Sequence, residues 1–320
     1  MTHKVSIISH ADILALHISP SVCMEWIEES FRIKSQAQLK PKISLHPQGD
    51  DFFNTMPCML PSSIGRFAVK EVRRIAGQVP SLSSEIMLYD SHTGRLLALL
   101  DGDWITTMRT GAVAALAVRM FEHKGNTTYS FIGLGNTARA TALCILAGHK
   151  EGPVTFRLLR YKDQAEDFKK RFSEYPQLCF EDVDSPEQLI GGADVVLSCL
   201  TAAPSLICPD DSLYRKGVVV VPVHTRGFQN CDLFFDKVFG DDKGHIEGFR
   251  YFSRFHSFAE MSDVMTGNCP GRESDDERIL CYNIGLGLHD ALFASRIYDM
   301  MDLSSCQSFE QVKETGKFWI

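Results

Sequence analysis

Short apolar runs alternate with helical segments over residues 127–223, and this alternation constrains the fold more than any other feature of the sequence. The apolar runs are TTYSFIG (127–133), VTFRLLR (154–160), LCFEDV (178–183), ADVVLSCL (193–200) and VVVVPV (218–223). The helical segments are 136–147, 163–174 and a short one entered by Ser185-Pro186-Glu187, where serine caps and proline takes the first turn. Strands that alternate with helices pair in parallel, so the pattern predicts a doubly wound α/β sheet.

The segments on either side of this alternation are of mixed type. Residues 20–38 have helical spacing, residues 84–102 read as two apolar strands around a Ser-His-Thr-Gly turn, and residues 107–121 read as a helix. After residue 255, SDDERILCYNIGLGLHDALFASRIYDM predicts one long helix, opened by the capping box Ser274–Glu277.

Composition argues against several classes of function. The net charge of −7 and the pI near 5.9 give no electrostatic reason to expect nucleic acid or an acidic membrane as partner, so a small molecule is expected. The ten cysteines are scattered without a CxxC pair, and the eleven histidines are dispersed without the spacing of a metal site. No apolar run approaches the roughly 20 residues that span a bilayer. We therefore expect a cytoplasmic protein with reduced thiols and no metal.

The segment FIGLGNTARA places Gly133-x-Gly135-x-x-Ala138 directly after an apolar strand and at the start of a helix. Glycines there permit a tight turn and let the backbone approach a pyrophosphate, whose charge the free amides and the positive end of the helix stabilise. A structural turn would also explain the glycines, but the strand–loop–helix context favours dinucleotide binding. Gly133, Gly135, Asn136, Thr137 and Ala138 are the predicted cofactor-binding residues.

The end of the second predicted strand bears on which dinucleotide is bound. An acidic residue normally accepts hydrogen bonds from the ribose of NAD at this position, but this chain has Leu159, Arg160 and Tyr161. An arginine available for a 2′-phosphate predicts that NADP(H) is preferred and NAD(H) is possible. The alternative is that Arg160 is a solvated charge at the end of a strand.

Arg109 lies in the first turn of a helix that is nearly all apolar from Ala112 to Val118, so its surroundings are predicted to be buried. A buried guanidinium needs an anion. The amides and dipole of a helix amino terminus act in the same place, so a substrate carboxylate or a phosphate would be bound from two sources. An ion pair with Asp101 or Asp103 is the alternative.

Lys70 and His224 are two further polar residues in apolar segments. Lys70 lies on the alternating segment RFAVKEVRR, where Phe67 and Val69 share the other face, so by itself it reads as a solvent-facing lysine. The apolar run VVVVPVHTRG continues into His224, and ligands collect at the carboxyl ends of parallel strands. A histidine there can donate or accept a proton near neutral pH; a hydrogen-bonded structural histidine is the alternative.

Five stretches of the chain resemble the ornithine cyclodeaminase/mu-crystallin family, and the likeness covers most of the chain. They are RFAVKEVRR, GRLLALLDGDWITTMRTGAVAALA, FIGLGNTARA, ADVVLSCLTAAPSLI and FAEMSDVMTGNCPGRESDDERIL. The resemblance implies a Rossmann-type sheet inserted in an α+β domain that binds substrate and forms a homodimer. By this resemblance residues 1–120, completed by 290–320, form the substrate domain, and residues 121–289 form the NAD(P)-binding domain.

The resemblance also implies which residues bind substrate. Lys70 and Arg109 fall on the family's lysine and arginine that hold the α-carboxylate and surround the reacting carbon. Lys42 falls at or beside another family position that is commonly arginine. By the resemblance, therefore, Lys70 is not the solvent-facing residue that its local pattern predicts.

The chain departs from the family at two positions that matter for the chemistry. Family cyclodeaminases and dehydrogenases carry an acid/base aspartate after the equivalent strand, and aligning Gly227 with the family glycine puts His224 in its place. Mu-crystallins also lack that aspartate. Asn54 stands where cyclodeaminases can present a glutamate. Both changes weaken the case for a substrate with a second amino group.

The expected function is therefore hydride transfer between NAD(P)H and the α-carbon of a small imino or amino acid, as in a ketimine reductase or amino-acid dehydrogenase. His224 would donate the proton to the imine nitrogen. Two alternatives stay open: conversion of ornithine to proline with release of ammonia, and a catalytically weak ligand-binding protein of the mu-crystallin type.

Overall fold

The computed structural model describes residues 2–123, 125, 127–148, 152–200, 203, 205–223, 227–228, 233–312 and 316–317. In chain order the helices and strands are β1 (Thr2–Ile8), α1 (His10–Ala15), α2 (Pro20–Ile33), β2 (Gln38–Leu39), β3 (Ile43–Leu45), β4 (Phe52–Met59), β5 (Arg66–Arg74), β6 (Leu82–Asp90), β7 (Leu96–Asp101), α3 (Asp103–Phe121), β8 (Thr128–Ile132), α4 (Asn136–Gly148), β9 (Val154–Leu159), α5 (Gln164–Arg171), β10 (Leu178–Val183), α6 (Pro186–Ile190), β11 (Val195–Ser198), β12 (Val219–Pro222), β13 (Lys237–Gly240), α7 (Lys243–Ile246), β14 (Phe258–Glu260), α8 (Met261–Met265), β15 (Ile279–Tyr282), α9 (Gly287–Met300) and β16 (Gln307–Val312). Within these residues, no helix is both long enough and apolar enough to cross a bilayer.

The chain divides into two compact units. The first comprises Met1–Ser19, Ile33–Thr106 and Leu286–Ile320, and the second comprises Pro20–Arg32 and Thr107–Gly285. Along the chain, the second unit is therefore inserted in the first. The expected boundary at residue 120 differs from this division, because residues 20–32 and 107–120 belong to the second unit. One reason is that Gly111 of α3 lies directly against the backbone of Ala140 in α4.

The second unit is built on an eight-stranded sheet in the order β10-β9-β8-β11-β12-β15-β13-β14. Its strand pairs run parallel, and the first five strands by sequence have the order 3-2-1-4-5 of a Rossmann sheet. Every residue of β11, β12 and β15 is buried, as expected for parallel strands covered on both faces. The doubly wound α/β sheet predicted from the sequence is confirmed.

The helices of this unit follow the signals seen in the sequence. The side chain of Ser185 accepts a hydrogen bond from the amide of Gln188 and caps α6, with Pro186 in its first turn. Phe131 of β8 and Phe156 of β9 pack edge to face with ring centroids 5.1 Å apart, and Phe168 of α5 contacts both rings. These aromatic side chains pack β8, β9 and α5 into one core.

The first unit is built on a second eight-stranded sheet, in the order β16-β1-β7-β6-β5-β4-β2 with β3 also paired to β4. Its strand pairs are antiparallel except for β1 with β7. Burial alternates along β4, β5 and β6. The helix α9 packs on these three strands and covers one face of this part of the sheet.

The long helix predicted after Ser274 is wrong. Ser274 and Glu277 do make capping contacts, since the amide of Ser274 donates to the Glu277 carboxylate at 3.3 Å. The chain then enters β15, which lies between β12 and β13, and helix α9 begins only at Gly287 after Gly285 with φ +92. Two parallel neighbours for ILCY outweigh the local helical signal, because the pairing buries all four residues.

Candidate functional site

The glycine loop follows β8, where the order in which strands are added to the sheet switches from one side to the other. β8 pairs with β9 on one side and β11 on the other, and open parallel sheets bind ligands in such a crevice. Gly133 has φ +78, and a Cβ there would lie 2.9 Å from the carbonyl carbon of Cys199. Both the backbone conformation and the close approach require glycine.

The start of α4 leaves room for an anion beside this loop. A Cβ at Gly135 would meet no described atom within 4 Å, so the backbone there is open to a ligand. Asn136 and Thr137 are the first residues of α4, and Ala138 is fully buried. The first amides of a helix have no partner within the helix and carry the positive end of its dipole. The residues present therefore fit a pyrophosphate group.

Arg160 follows β9 and meets the carboxylates that end and follow β10. Its Nη1 lies 2.8 Å from Asp184 Oδ1 and its Nε lies 3.6 Å from Asp182 Oδ2, and the side chain is half-exposed. The ammonium of Lys162 lies 5.2 Å from the centroid of the Tyr161 ring. A phosphate at Arg160 would share the guanidinium with two carboxylates, so the cation is less available than the sequence suggests.

Arg109 is buried, with 6% of its surface exposed, as its apolar helix predicts. A Cβ at Gly285 would lie 2.7 Å from Nη1 of Arg109, so the guanidinium lies against the backbone of Gly285. The carboxylate of Asp241, which follows β13 and is fully buried, accepts hydrogen bonds from the amides of Ile284 at 2.8 Å and Gly285 at 2.6 Å. Arg109 thus lies beside the carboxyl ends of β13 and β15.

His224 lies outside the described residues. The last described residue before it, Val223, donates its amide to the carbonyl oxygen of Ser198 at 2.9 Å. The amide of Asn283 donates to the carbonyl oxygen of Pro222 at 3.1 Å. The chain therefore leaves the sheet after β12 at the same edge where β11 and β15 end. The role of His224 stays a prediction.

Lys70 is buried, and the solvent-facing position predicted from its local pattern is wrong. It lies on β5 with 1% of its surface exposed, on the same face as Ala68 and Val72. Its Nζ lies 2.7 Å from Oδ2 of Asp290 in α9. The prediction failed because α9 covers the face that carries Lys70, whereas Phe67 and Val69 point to the other face and are only half-buried.

Polar groups on β4 share this covered face. Asn54 is 9% exposed, and its Oδ1 has no hydrogen-bond partner among the described residues. Cys58 is buried, and burial, with the charge of Asp290 as a second cause, raises the pKa of its thiol to about 12. Met56 lies between them and is the register partner of Lys70. The face therefore offers one cation, one free amide oxygen and a neutral thiol.

Lys42 precedes β3 and is half-buried. The chain beside it carries the exposed side chains of Ile43 and Leu45, at 57% and 68%. Lys42 lies one residue before the pair Ile43–Thr55 of β3 and β4, so the register places it across from Met56, the partner of Lys70 on β5. Its role in substrate binding stays a prediction.

Sequence reasoning missed two buried carboxylates, Asp241 and Asp290. Both could have been found by the argument used for Arg109, since each is a charged residue in an apolar segment, VFGDD and GLGLHDALF. Asp290 lies within the segment that was predicted in error as one long helix.

Comparison with known proteins gives relatives that cover from two thirds to nearly all of the chain. The nodulation efficiency protein NfeD of Rhizobium meliloti is 24% identical over 315 residues, which cover 94% of this chain and 97% of that protein. A Delta(1)-pyrroline-2-carboxylate reductase of Bacillus cereus is 25% identical over 241 residues, or 68% of this chain and 71% of that protein.

Among solved structures, the Delta(1)-pyrroline-2-carboxylate reductase of Thermococcus litoralis, in complex with NADH and L-proline, matches with a TM-score of 0.79 and 22% identity, covering 92% of this chain and 97% of that chain. This likeness supports the fold. The sequence profile described as the ornithine cyclodeaminase/mu-crystallin family matches residues 4–305. The chain therefore belongs to the ornithine cyclodeaminase/mu-crystallin family.

Proposed function

We propose that the protein is a nicotinamide-dependent oxidoreductase that acts on the C–N bond of a small imino or amino acid. The observation that carries the proposal is the loop at Gly133, where a left-handed backbone packs against Cys199 at the reversal point of a Rossmann sheet. Membership of a family whose relatives include imine reductases, such as the Bacillus cereus protein named above, supports the reaction type. The bound nicotinamide would supply or accept the hydride.

In this proposal the cofactor's pyrophosphate is held by Gly133, Gly135, Asn136, Thr137 and Ala138. The backbone amides of the loop and of the first turn of α4 would donate hydrogen bonds to it, and the helix dipole would stabilise its charge. The open backbone at Gly135 supports this assignment.

The substrate carboxylate is assigned to Arg109 and Lys70, assisted by Lys42. Arg109 and Lys70 are buried cations, and a buried cation binds an anion strongly because little water competes. Asn54 shares the face of Lys70 and has an amide oxygen open to a donor. A substrate with a neutral N–H or O–H group there fits this oxygen, because a neutral amide lacks the charge that would compensate a buried ammonium.

His224 is proposed as the proton donor to the substrate nitrogen. An imidazolium can deliver a proton as the hydride arrives at the adjacent carbon, and the residue directly follows a chain segment that leaves the ligand edge of the sheet.

NADP(H) is proposed as the preferred cofactor, with Arg160 as the residue that binds the 2′-phosphate. The two carboxylates near Arg160 oppose this assignment, and Lys162, two residues further along the chain, supports it by adding a second cation to this segment. The test is a comparison of Kd for NADPH and NADH in wild type and Arg160→Ala. A loss confined to NADPH supports the assignment, whereas an equal loss for both refutes it.

A homodimer is proposed from the uncovered face of the first sheet. Five apolar residues face each other across five strands on that face: Ile7, Leu99, Met87, Val69 and Pro57. Ile7 and Met87 each remain 36% exposed. We name these five residues the apolar row. A second copy of the chain would cover it, and exposed apolar rows of this kind mark protein interfaces.

A cytoplasmic location remains part of the proposal, because the scattered cysteines of the sequence are typical of a protein with reduced thiols.

The experiment that tests the function is oxidation of NADPH, and then NADH, by the purified protein with piperideine-2-carboxylate or pyrroline-2-carboxylate as substrate. Turnover establishes an imine reductase. Failure with both imines despite measured cofactor binding refutes that reading; ammonia release from ornithine without net cofactor consumption would then identify a cyclodeaminase.

A further inference from the structure

The ion pair between Lys70 and Asp290 is buried on both sides. The side chain of Lys70 is 0% exposed, that of Asp290 is 1% exposed, and Nζ and Oδ2 are 2.7 Å apart. Transfer of two charges out of water is costly, and a pair of apolar side chains of similar size would often be as stable or more stable. Stability alone therefore gives no reason for this pair.

The position of Asp290 is fixed by backbone packing. A Cβ at Gly287 would lie 3.1 Å from the carbonyl oxygen of Met56 and 3.4 Å from that of Pro57, so the start of α9 lies directly on β4. Met56 is the register partner of Lys70 on the adjacent strand. Asp290, three residues into the same helix, then reaches the ammonium on β5. The packing of α9 on β4 therefore fixes where the carboxylate lies.

We propose that Asp290 is a positioning residue: its carboxylate keeps Lys70 protonated and holds its ammonium in place on β5, where it receives the carboxylate of the substrate. The inference rests on the proposed function, in which Lys70 binds that carboxylate. It assigns Lys70 the part of a permanent cation rather than of a base that exchanges protons with the substrate.

The charged and titratable neighbours agree with this assignment. Cys58, on β4, remains a neutral thiol because its pKa is raised to about 12. His289, next to Asp290 in α9, is fully buried. Asp290 is a carboxylate that pairs with the Lys70 ammonium on the covered face. Without it, burial would favour the neutral amine, which binds carboxylates poorly.

The experiment compares Asp290→Asn and Asp290→Glu with wild type in steady-state kinetics between pH 6 and pH 10, a range that spans the expected change. In Asp290→Asn we expect KM for the imino acid to rise about tenfold or more, with kcat less affected. The rise should grow with pH, because Lys70 loses its proton at a lower pH than in wild type. Asp290→Glu should restore the wild-type pH profile, and Kd for NADPH should not change.

The matched control is Asp194→Asn, the same substitution in the ion pair with Arg215. Asp194 lies at the amino edge of the other sheet, where its carbonyl oxygen accepts from the amide of Val219. This control should keep the wild-type KM and pH profile. A wild-type KM in Asp290→Asn, or a loss that is equal at every pH and not rescued by glutamate, overturns the inference.

A second readout separates this inference from the proposed function. Lysine labelled with ¹⁵N reports the protonation of Lys70 by NMR without turnover, with Lys70→Met used for assignment. If wild type reduces no imine, the proposed function fails. The inference on Asp290 is then tested by whether Lys70 loses its proton at lower pH in Asp290→Asn than in wild type. If Asp290→Asn does not fold, the NMR and kinetic measurements on Asp290→Glu test the proposal instead. A changed ¹⁵N signal of Lys70, which reports a displaced ammonium, together with an unchanged KM overturns the proposal.

Discussion

Gly133 is a residue whose backbone and surroundings both exclude a side chain. We expect Gly133→Ala to cost about 1–3 kcal/mol of stability, because alanine is strained at φ +78 and its Cβ would press on Cys199. Binding of NADPH should fall with it, since the loop must move. Thermal unfolding and a fluorescence titration measure the two effects. Gly248→Ala is the control, because a Cβ there meets no described atom within 4 Å; equal behaviour of the two variants would contradict the prediction.

The buried ion pair of Lys70 and Asp290 leads to a second prediction at the residue scale. Lys70→Met should destabilise the protein by about 3–5 kcal/mol, because it leaves Asp290 buried without its ammonium. The double variant Lys70→Met/Asp290→Leu should recover most of that stability without recovering imine reduction. Urea unfolding and the kinetic assay separate the outcomes. Equal free energies of unfolding for the single and double variants would show that the two side chains have no coupling energy.

Residues differ in how far the sequence predicts their role. Arg109 could be predicted as buried because the apolar residues that surround it are close by in its own helix. The burial of Lys70 could not, because the side chain that meets it comes from α9, some 220 residues later in the chain (290 − 70). For Lys70 local alternation failed, since alternation shows that a strand has two faces but not which face is covered.

At the scale of elements, the contact between α3 and α4 depends on Gly111. A Cβ there would lie 2.5 Å from backbone atoms of Ala140 and Thr141, so Gly111→Ala should force the helices apart and cost at least about 1–3 kcal/mol. Because α4 carries the glycine loop, NADPH affinity should fall as well. Gly148→Ala, at the exposed end of α4, is the control in denaturant unfolding. An unchanged midpoint in Gly111→Ala would contradict the packing described.

A pH effect involves Glu122, which directly follows α3, and Tyr129 of β8. The hydroxyl of Tyr129 donates to Glu122 at 2.9 Å, yet burial is the largest cause acting on this carboxyl and raises its pKa above the ordinary 4.5. A raised pKa in the folded state means that the stability contributed is present below about pH 4.5 and is lost as pH rises through the folded value. Glu122→Gln should remove this pH dependence. Urea unfolding at pH values on both sides of the transition checks it, and an unchanged slope in the variant would contradict it.

Elements with strong periodicity were predicted well, and β15 shows why other elements were not. The strands β8 to β12 of the parallel sheet were predicted because each is a short apolar run bounded by turns, whereas β13, β14 and β15 were not predicted. β15 was missed because ILCY lies between a real capping contact and a real helix, and only its two neighbours in the sheet reveal it. Those neighbours are brought together by the whole topology, which a local pattern does not contain.

At the scale of the whole molecule, the apolar row predicts association. Met87→Lys should convert a dimer into a monomer, because a charge would be buried at the centre of the interface. Leu14→Lys is the matched control, since Leu14 is 48% exposed on α1 and outside the row. Light scattering after size-exclusion chromatography measures the mass. A monomeric wild type, or a dimer that persists in Met87→Lys, would refute the assignment of this face.

The covering of the first sheet by α9 has a consequence for how the protein is made. On the ribosome, the strands β4, β5 and β6 are complete when about residue 90 has emerged, but the helix that covers them ends at Met300. Until then Lys70 and its apolar neighbours face water, and β1 lacks its partner β16. The inserted unit can form its own sheet earlier, because its strands end at Tyr282. We therefore expect the order of synthesis and the order of folding to differ: the interior of the chain folds first, and the unit that contains both ends of the fold closes last.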